Sequence, residues 1–182
     1  LQSAKLDMKA LSATAEGMIG AKDTDLVARI ATTDLGLFDP AFSGALEADL
    51  QFAGAAGARS LAIKGSARNV MVGAPNLDAL LRDETRLDLI ARETAGGFIL
   101  QDATVENSAF SAGLRGSADP GSYQLSGELH DTARLLPGFG GPTRLDGSVT
   151  VGSDSYAVDA SVKGPGGIAA TARGTVARDF AT

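Results

Sequence analysis

Hydrophobic and polar residues alternate with a period of two along most of the chain. Tyr123, Leu125, Gly127 and Leu129 share one parity, and Ser122, Gln124, Ser126, Glu128 and His130 share the other. Successive strand side chains point to opposite faces, so this predicts a strand with one apolar and one wet face. Residues 154–163 repeat the arrangement: Tyr156, Val158, Ala160 and Val162 oppose Ser155, Asp159, Ser161 and Lys163, with only Ala157 off pattern. Leu145, Gly147, Val149 and Val151 likewise oppose Arg144, Asp146, Ser148 and Thr150. Earlier instances are Leu46, Ala48, Leu50 and Phe52 against Glu47, Asp49 and Gln51; Leu61 and Ile63 against Ala62 and Lys64; Leu87, Leu89 and Ala91 against Arg86, Asp88 and Arg92. Near the start Leu6, Met8 and Ala10 oppose Lys5, Asp7 and Lys9; near the end Ile168, Ala170, Ala172 and Val176 oppose Thr171, Arg173 and Thr175.

Turn signals separate these runs at Gly54 to Gly57, Gly96-Gly97, Asp119-Pro120-Gly121, Gly152-Ser153-Asp154 and Gly164-Pro165-Gly166-Gly167. Glycine supplies positive φ and proline presets a turn dihedral, so each break has a mechanism. The spacing predicts an all-β chain of roughly 11–13 short amphipathic strands. Residues 97–105 fit least well, because Phe98 and Leu100 share parity with Asp102 while Ile99 shares it with Gln101. Helical spacing is confined to Pro75 through Arg82, with Leu77, Leu80 and Leu81, and to Thr132 through Leu136 before Pro137-Gly138.

Short apolar crossovers near 36–45, 75–85 and 132–144 each lead into amphipathic strands, a degenerate internal repeat aligned on Leu46, Leu87 and Leu145 and spaced by about 41 and about 58 residues. The chain therefore reads as a single repeat-containing β domain over 1–182.

Composition alters this picture in two ways. Of 182 residues 44% are hydrophobic, but 32 are Ala and 23 are Gly, with no Trp and 5% aromatics, so bulky core-forming side chains are scarce. The absence of Cys excludes disulfides, thiol catalysis and cysteine metal sites. A net charge of -6, with Lys and Arg scattered singly, argues against nucleic acid as a partner, because phosphate-binding surfaces concentrate cations. No run reaches the roughly 18 apolar residues of a membrane-spanning helix, and residues 1–20 lack the basic start and apolar run of a signal peptide.

A sheet with one apolar face must bury that face against something. Too little helix is predicted to cover it. The sheet then pairs with another sheet, closes as a barrel, or curls around its own apolar face; alternation alone is equally compatible with a closed sandwich or solenoid core. Curled and open, about 12 strands would run about 55–60 Å.

Asn76-Leu77-Asp78-Ala79-Leu80-Leu81 followed by Thr85 to Ala91, then Ala103 to Ala109 and Gly116 to Gly121, resembles the repeated region of the TamB family, within the AsmA-like proteins, as does the Leu135 to Val149 junction. The likeness spans most of 36–178 and rests on hydrophobic phrases. It implies an elongated, taco-like sheet whose apolar groove carries phospholipid between inner and outer membranes, in the periplasm, with a TamA-like outer-membrane barrel as partner. It implies an internal fragment of a protein anchored in the inner membrane by a segment absent here. The groove lining would be Leu46, Leu50, Phe52, Leu87, Leu89, Phe98, Leu100, Phe110, Leu114, Tyr123, Leu125, Leu129, Val149, Val151, Tyr156, Val158 and Val162. The alternative is a scaffold receiving strands of unfolded outer-membrane proteins by edge addition.

Other motifs carry little chemistry. Gly54 to Ser60 lacks the Gly-Lys-Ser/Thr ending of a phosphate loop and reads as a turn. Asp23 with Asp25, and Asp83 with Glu84 and Asp88, lack calcium-loop spacing. His130, the sole histidine, has neither a second His nor a Cys for zinc or a triad. A polysaccharide-acting solenoid enzyme should show aromatic platforms and a carboxylate cluster. The expectation is a non-enzymatic binding module with no metal and no cofactor.

Overall fold

The computed structural model describes residues 3–117 and 121–177, so the turn read at Asp119-Pro120 lies outside the described residues. The chain divides into two compact units, Leu1–Ser108 and Ala109–Thr182. The first holds β1 (Ser3–Asp7), β2 (Leu11–Ile19), β3 (Thr24–Thr32), β4 (Ser43–Ala53), β5 (Ser60–Met71), α1 (Pro75–Leu80), β6 (Thr85–Thr94) and β7 (Gly97–Glu106). The second holds β8 (Phe110–Gly116), β9 (Ser122–Leu129), β10 (Thr143–Val151), β11 (Ser155–Lys163) and β12 (Ala169–Ala177). The described residues thus form an all-β fold with twelve strands, as the spacing of the turns predicts. In each unit the strands lie in sequence order, and neither unit pairs its first strand with its last, so the sheet is open.

Departures from the sequence reading are local. Met8 and Ala10 sit in the turn between β1 and β2 rather than in a strand, since Met8 and Leu11 exchange backbone hydrogen bonds that close a tight hairpin. The crossover before β4 contains a one-turn 3₁₀ segment, Leu35–Leu37, started by Asp34, whose carboxylate accepts from the Gly36 N–H at 2.9 Å. Thr132–Arg134 is 3₁₀ as well, shorter than the helical spacing through Leu136 suggests.

The awkward stretch in β7 is resolved by a bulge. Val105 and Ala103 face Leu87 and Leu89, Asp102 faces Ile90, and Leu100 then faces Ala91, so Gln101 is the extra residue. One unpaired residue shifts parity by one, which turns Asp102 to the polar side and keeps Leu100 and Phe98 with the apolar set. A second irregularity lies between Ser43 and Ala45 of β4. Gly44 there has φ +114°, and a Cβ would come within 2.8 Å of the Arg68 and Asn69 carbonyl oxygens, so only glycine fits.

Crossovers and strand ends are tied by threonines. The buried polar side chains among the described residues are Thr24, Thr32, Thr85 and Thr132, all at strand or 3₁₀ termini. Thr32 Oγ1 donates to the Ala10 carbonyl at 2.8 Å and accepts from the Asp34 N–H at 3.1 Å, joining the β1–β2 turn to the β3–β4 crossover. Asn107 Nδ2 donates to the Leu80 carbonyl at 2.8 Å and to Thr85 Oγ1 at 2.9 Å, fastening α1. Thr132 Oγ1 bonds the Gly141 carbonyl at 2.8 Å, and Asp131 accepts from the Ala133 and Gly141 N–H groups, each at 3.1 Å. A buried hydroxyl is stable only when so paired.

Hydrogen bonds from Gly141 and then Ala133, with Arg134 nearby, hold the Asp131 carboxyl below its ordinary value. A depressed folded-state pKa means the added stability is present above the ordinary aspartate range and is lost as pH falls through the lowered value. In an NMR titration the Gly141 amide should therefore shift in one step below about pH 4, and the step should vanish in Asp131→Asn. A step at or above the ordinary aspartate pKa would contradict this geometry.

Candidate functional site

Within each unit, strand registry collects the apolar parities onto one face. In the second unit, Leu114, Leu125, Gly147, Ala160 and Ala172 lie in one row across β8 to β12, and Gly116, Tyr123, Val149, Val158 and Gly174 in the next. In the first, Leu6, Ala13, Ile30, Ala48, Gly65, Leu87 and Val105 form a row, and Ala4, Ala15, Ala28, Leu50, Ile63, Leu89 and Ala103 another. A further row carries Gly17, Leu26, Phe52, Leu61, Ala91 and Leu100. The remaining expected positions, Leu46, Phe98, Phe110, Leu129, Val151, Tyr156 and Val162, also register onto this face of their own unit.

Leu6, Leu11, Leu26, Ile30, Leu61, Ile63 and Leu145 belong to the same face although the expected lining omits them. For Leu11, Leu26 and Ile30 the available signal was alternation within 11–19 and 24–32, muted because alanine fills many of the apolar positions; Leu6, Leu61, Ile63 and Leu145 already stand in the alternating runs.

Among the described residues, neither unit contains a second layer of helices or strands over its own apolar face. Among the described residues the only buried hydrophobic side chains are Ala91 and Ala109. Every expected lining residue remains at least partly exposed, Phe98 by 50%. The half-buried state of the others comes from neighbours on the same face. In the first unit that face is concave. Phe52 on β4 and Phe98 on β7 are three strands apart, about 14 Å on a flat sheet, yet their ring centroids are 5.9 Å apart. A sheet bends in this way where bulges increase its local curvature, and one bulge lies in β7 three residues from Phe98.

The opposite, more polar face carries the strand lysines and arginines, several of them in ion pairs, beside the exposed side chains of Met18, Val27, Ile90 and Ile99. Arg29 pairs with Glu47 at 3.1 Å, Arg144 with Glu128 at 3.1 Å, Lys64 with Asp88 at 3.8 Å, and Arg173 with Asp159. Exposed pairs of this kind add little stability. A depression of about 430 Å³ opens on this polar face beside the β1–β2 turn, lined by Asp7, Lys9, Ser12, Glu47, Ser66 and Arg68 among others. Its charges are of both signs, and Leu11 and Leu46 of the apolar parity also line it. No three His, Asp or Glu side chains among the described residues are grouped to hold a metal. No helix among them is long and apolar enough to cross a membrane.

At one end of the concave face the Gly-rich turn before β5 contributes Arg59. Its Nε donates to Thr24 Oγ1 at 3.0 Å, Nη2 to the Gly20 carbonyl at 3.1 Å and Nη1 to Glu93 Oε1 at 3.3 Å. Its guanidinium carbon lies 5.7 Å from the Phe52 ring centroid, within cation–π range. Glu93 Oε2 also accepts from the Gly57 N–H at 2.8 Å. Arg59 and Glu93 together tie three successive hairpin ends.

Fold and face define the class: an open antiparallel meander in which, among the described residues, no second layer of the same unit lies over the apolar face. Comparison with known proteins adds no further identity: no family model, no curated protein and no solved structure matches the chain.

Small residues shape the surface unequally. A Cβ on Gly127 would meet nothing nearer than Leu145 Cβ at 3.6 Å, whereas one on Gly147 would fall 2.6 Å from the Asp159 carbonyl oxygen and 3.0 Å from Ala160. Gly147→Ala should lower stability by about 1–3 kcal/mol through overpacking, and Gly127→Ala should stay within about 0.5 kcal/mol. Thermal unfolding followed by circular dichroism compares them; equal melting temperatures would contradict the packing described.

Proposed function

We propose that the apolar face binds lipid acyl chains, and that the protein is a bridge-like segment carrying phospholipid between the inner and outer membranes in the periplasm, in concert with a TamA-like barrel. The uncovered apolar face carries this reading. A contiguous exposed apolar surface on a folded chain marks an interaction site, and acyl chains laid on it recover about 0.8 kcal/mol per buried methylene. Rows of Leu, Ile, Val, Ala and Gly present a surface without polar anchor points along its middle, on which a chain slides rather than lodges. The opposite face carries the strand lysines and arginines, several in ion pairs, and so holds the strand cations in water. The resemblance to the repeated region of TamB adds the choice of phospholipid and of the periplasm, together with membrane-to-membrane transport as the task.

Photo-crosslinking residues placed at Tyr123 and Val158, which share a row through Val149, should capture phospholipid in cells. The same probes at Gln124 and Asp159, which share a polar row through Ser148, should not. Equal labelling of both pairs would refute the proposal, and capture of unfolded outer-membrane protein at Tyr123 and Val158 would replace it with a scaffold for strand assembly.

A further inference from the structure

Every lysine and arginine in the described strands registers onto the polar face. Arg59 departs from this rule, since it reaches from a turn over Phe52 on the apolar side. Of its five N–H donors, three are engaged, by Thr24, Gly20 and Glu93. One donor on each terminal nitrogen is left free. Its side chain is 18% exposed and that of Glu93 20%, so an anion reaching it would meet a partly desolvated cation, where a charge-assisted bond counts for more than in water.

We propose that Arg59 is the headgroup subsite of the apolar face, taking the phosphate of an acyl phospholipid through its two free guanidinium N–H groups. This rests on the reading of the face as an acyl-chain site. Chains lying over Phe52, Leu61 and Leu100, which register in one row, would end at the hairpin turn that holds Arg59. The planar fork suits two phosphate oxygens. Glu93 opposes this binding: its carboxylate occupies part of the guanidinium and repels a second anion, so it sets a weak rather than a trapping affinity, consistent with a lipid that must move on. The carboxylate is itself held by the Gly57 and Arg59 N–H groups, at 2.8 and 3.4 Å, so it stays in place when a phosphate arrives.

The test compares monolauroyl lysophosphatidylglycerol with monolauroylglycerol, the same chain and glycerol without the phosphate, by calorimetric titration below micelle formation. The unaltered protein should bind the phosphate-bearing lipid about tenfold more tightly, a large excess of inorganic phosphate should not displace it, and Arg59→Gln should erase the difference. Glu93→Gln keeps the size and an acceptor for Gly57 while removing the competing charge. It should tighten phospholipid binding about threefold or more, an effect opposite to that of losing a structural ion pair and one that does not depend on whether Arg59→Gln folds. Equal binding of the two lipids would overturn the subsite and leave the apolar-face reading standing. Unchanged or weaker phospholipid binding in Glu93→Gln, or displacement by inorganic phosphate, would likewise overturn the subsite alone. Failure of both lipids to bind would refute the face as an acyl-chain site and the subsite with it.

Discussion

Everything distinctive in this protein follows from a sheet that satisfies its backbone hydrogen bonds laterally and yet leaves one apolar face without a second layer. Antiparallel pairing joins each strand to its sequence neighbours within a unit, so the backbone requirement is met locally. The hydrophobic requirement is not. A domain ordinarily buries its apolar stripe between two layers, and among the described residues little is left to form a second one: α1 has six residues and the 3₁₀ segments three each. The scarcity of large side chains, with alanine and glycine taking so many apolar positions, fits a surface that is to be lined rather than a core that is to be filled.

Such a sheet needs other means of holding its form. At its ends the buried threonines satisfy the carbonyls and N–H groups of the turns and crossovers, and in the first unit the Arg59–Glu93 pair clasps the ends of adjacent hairpins. Between the ends, bulges in β5 and β7 bend the strands while the apolar set stays on one face. Concavity and polarity are therefore set by separate devices, the first by bulges and clasps, the second by alternation. A change in one of them need not disturb the other.

Alternation made the strands and their faces legible from the sequence, and strand registry gives each of the seventeen expected positions the apolar parity of its own unit. Residues 11–32 were harder, because alanine at Ala13, Ala15, Ala28 and Ala31 contrasts weakly with its polar neighbours. The bulge at Gln101 hides a regular face behind an irregular pattern, and no local residue marks it. Arg59 was invisible for another reason. Gly54 to Ser60 reads as a simple turn, which it is, but the partners of its arginine come from Gly20, Thr24 and Glu93, and only strand pairing brings those together.

The central claim is that the apolar face is open to an amphiphile rather than shut by protein. Intermolecular nuclear Overhauser effects from the lauroyl chain of bound lysophosphatidylglycerol to protein methyl groups measure this directly. The account predicts contacts to the methyls of Leu50, Ile63, Leu125 and Val158 and none to those of Ala62 and Ala157 on the opposite side. Methyls of Leu50, Ile63, Leu125 and Val158 that see only other protein protons would contradict it.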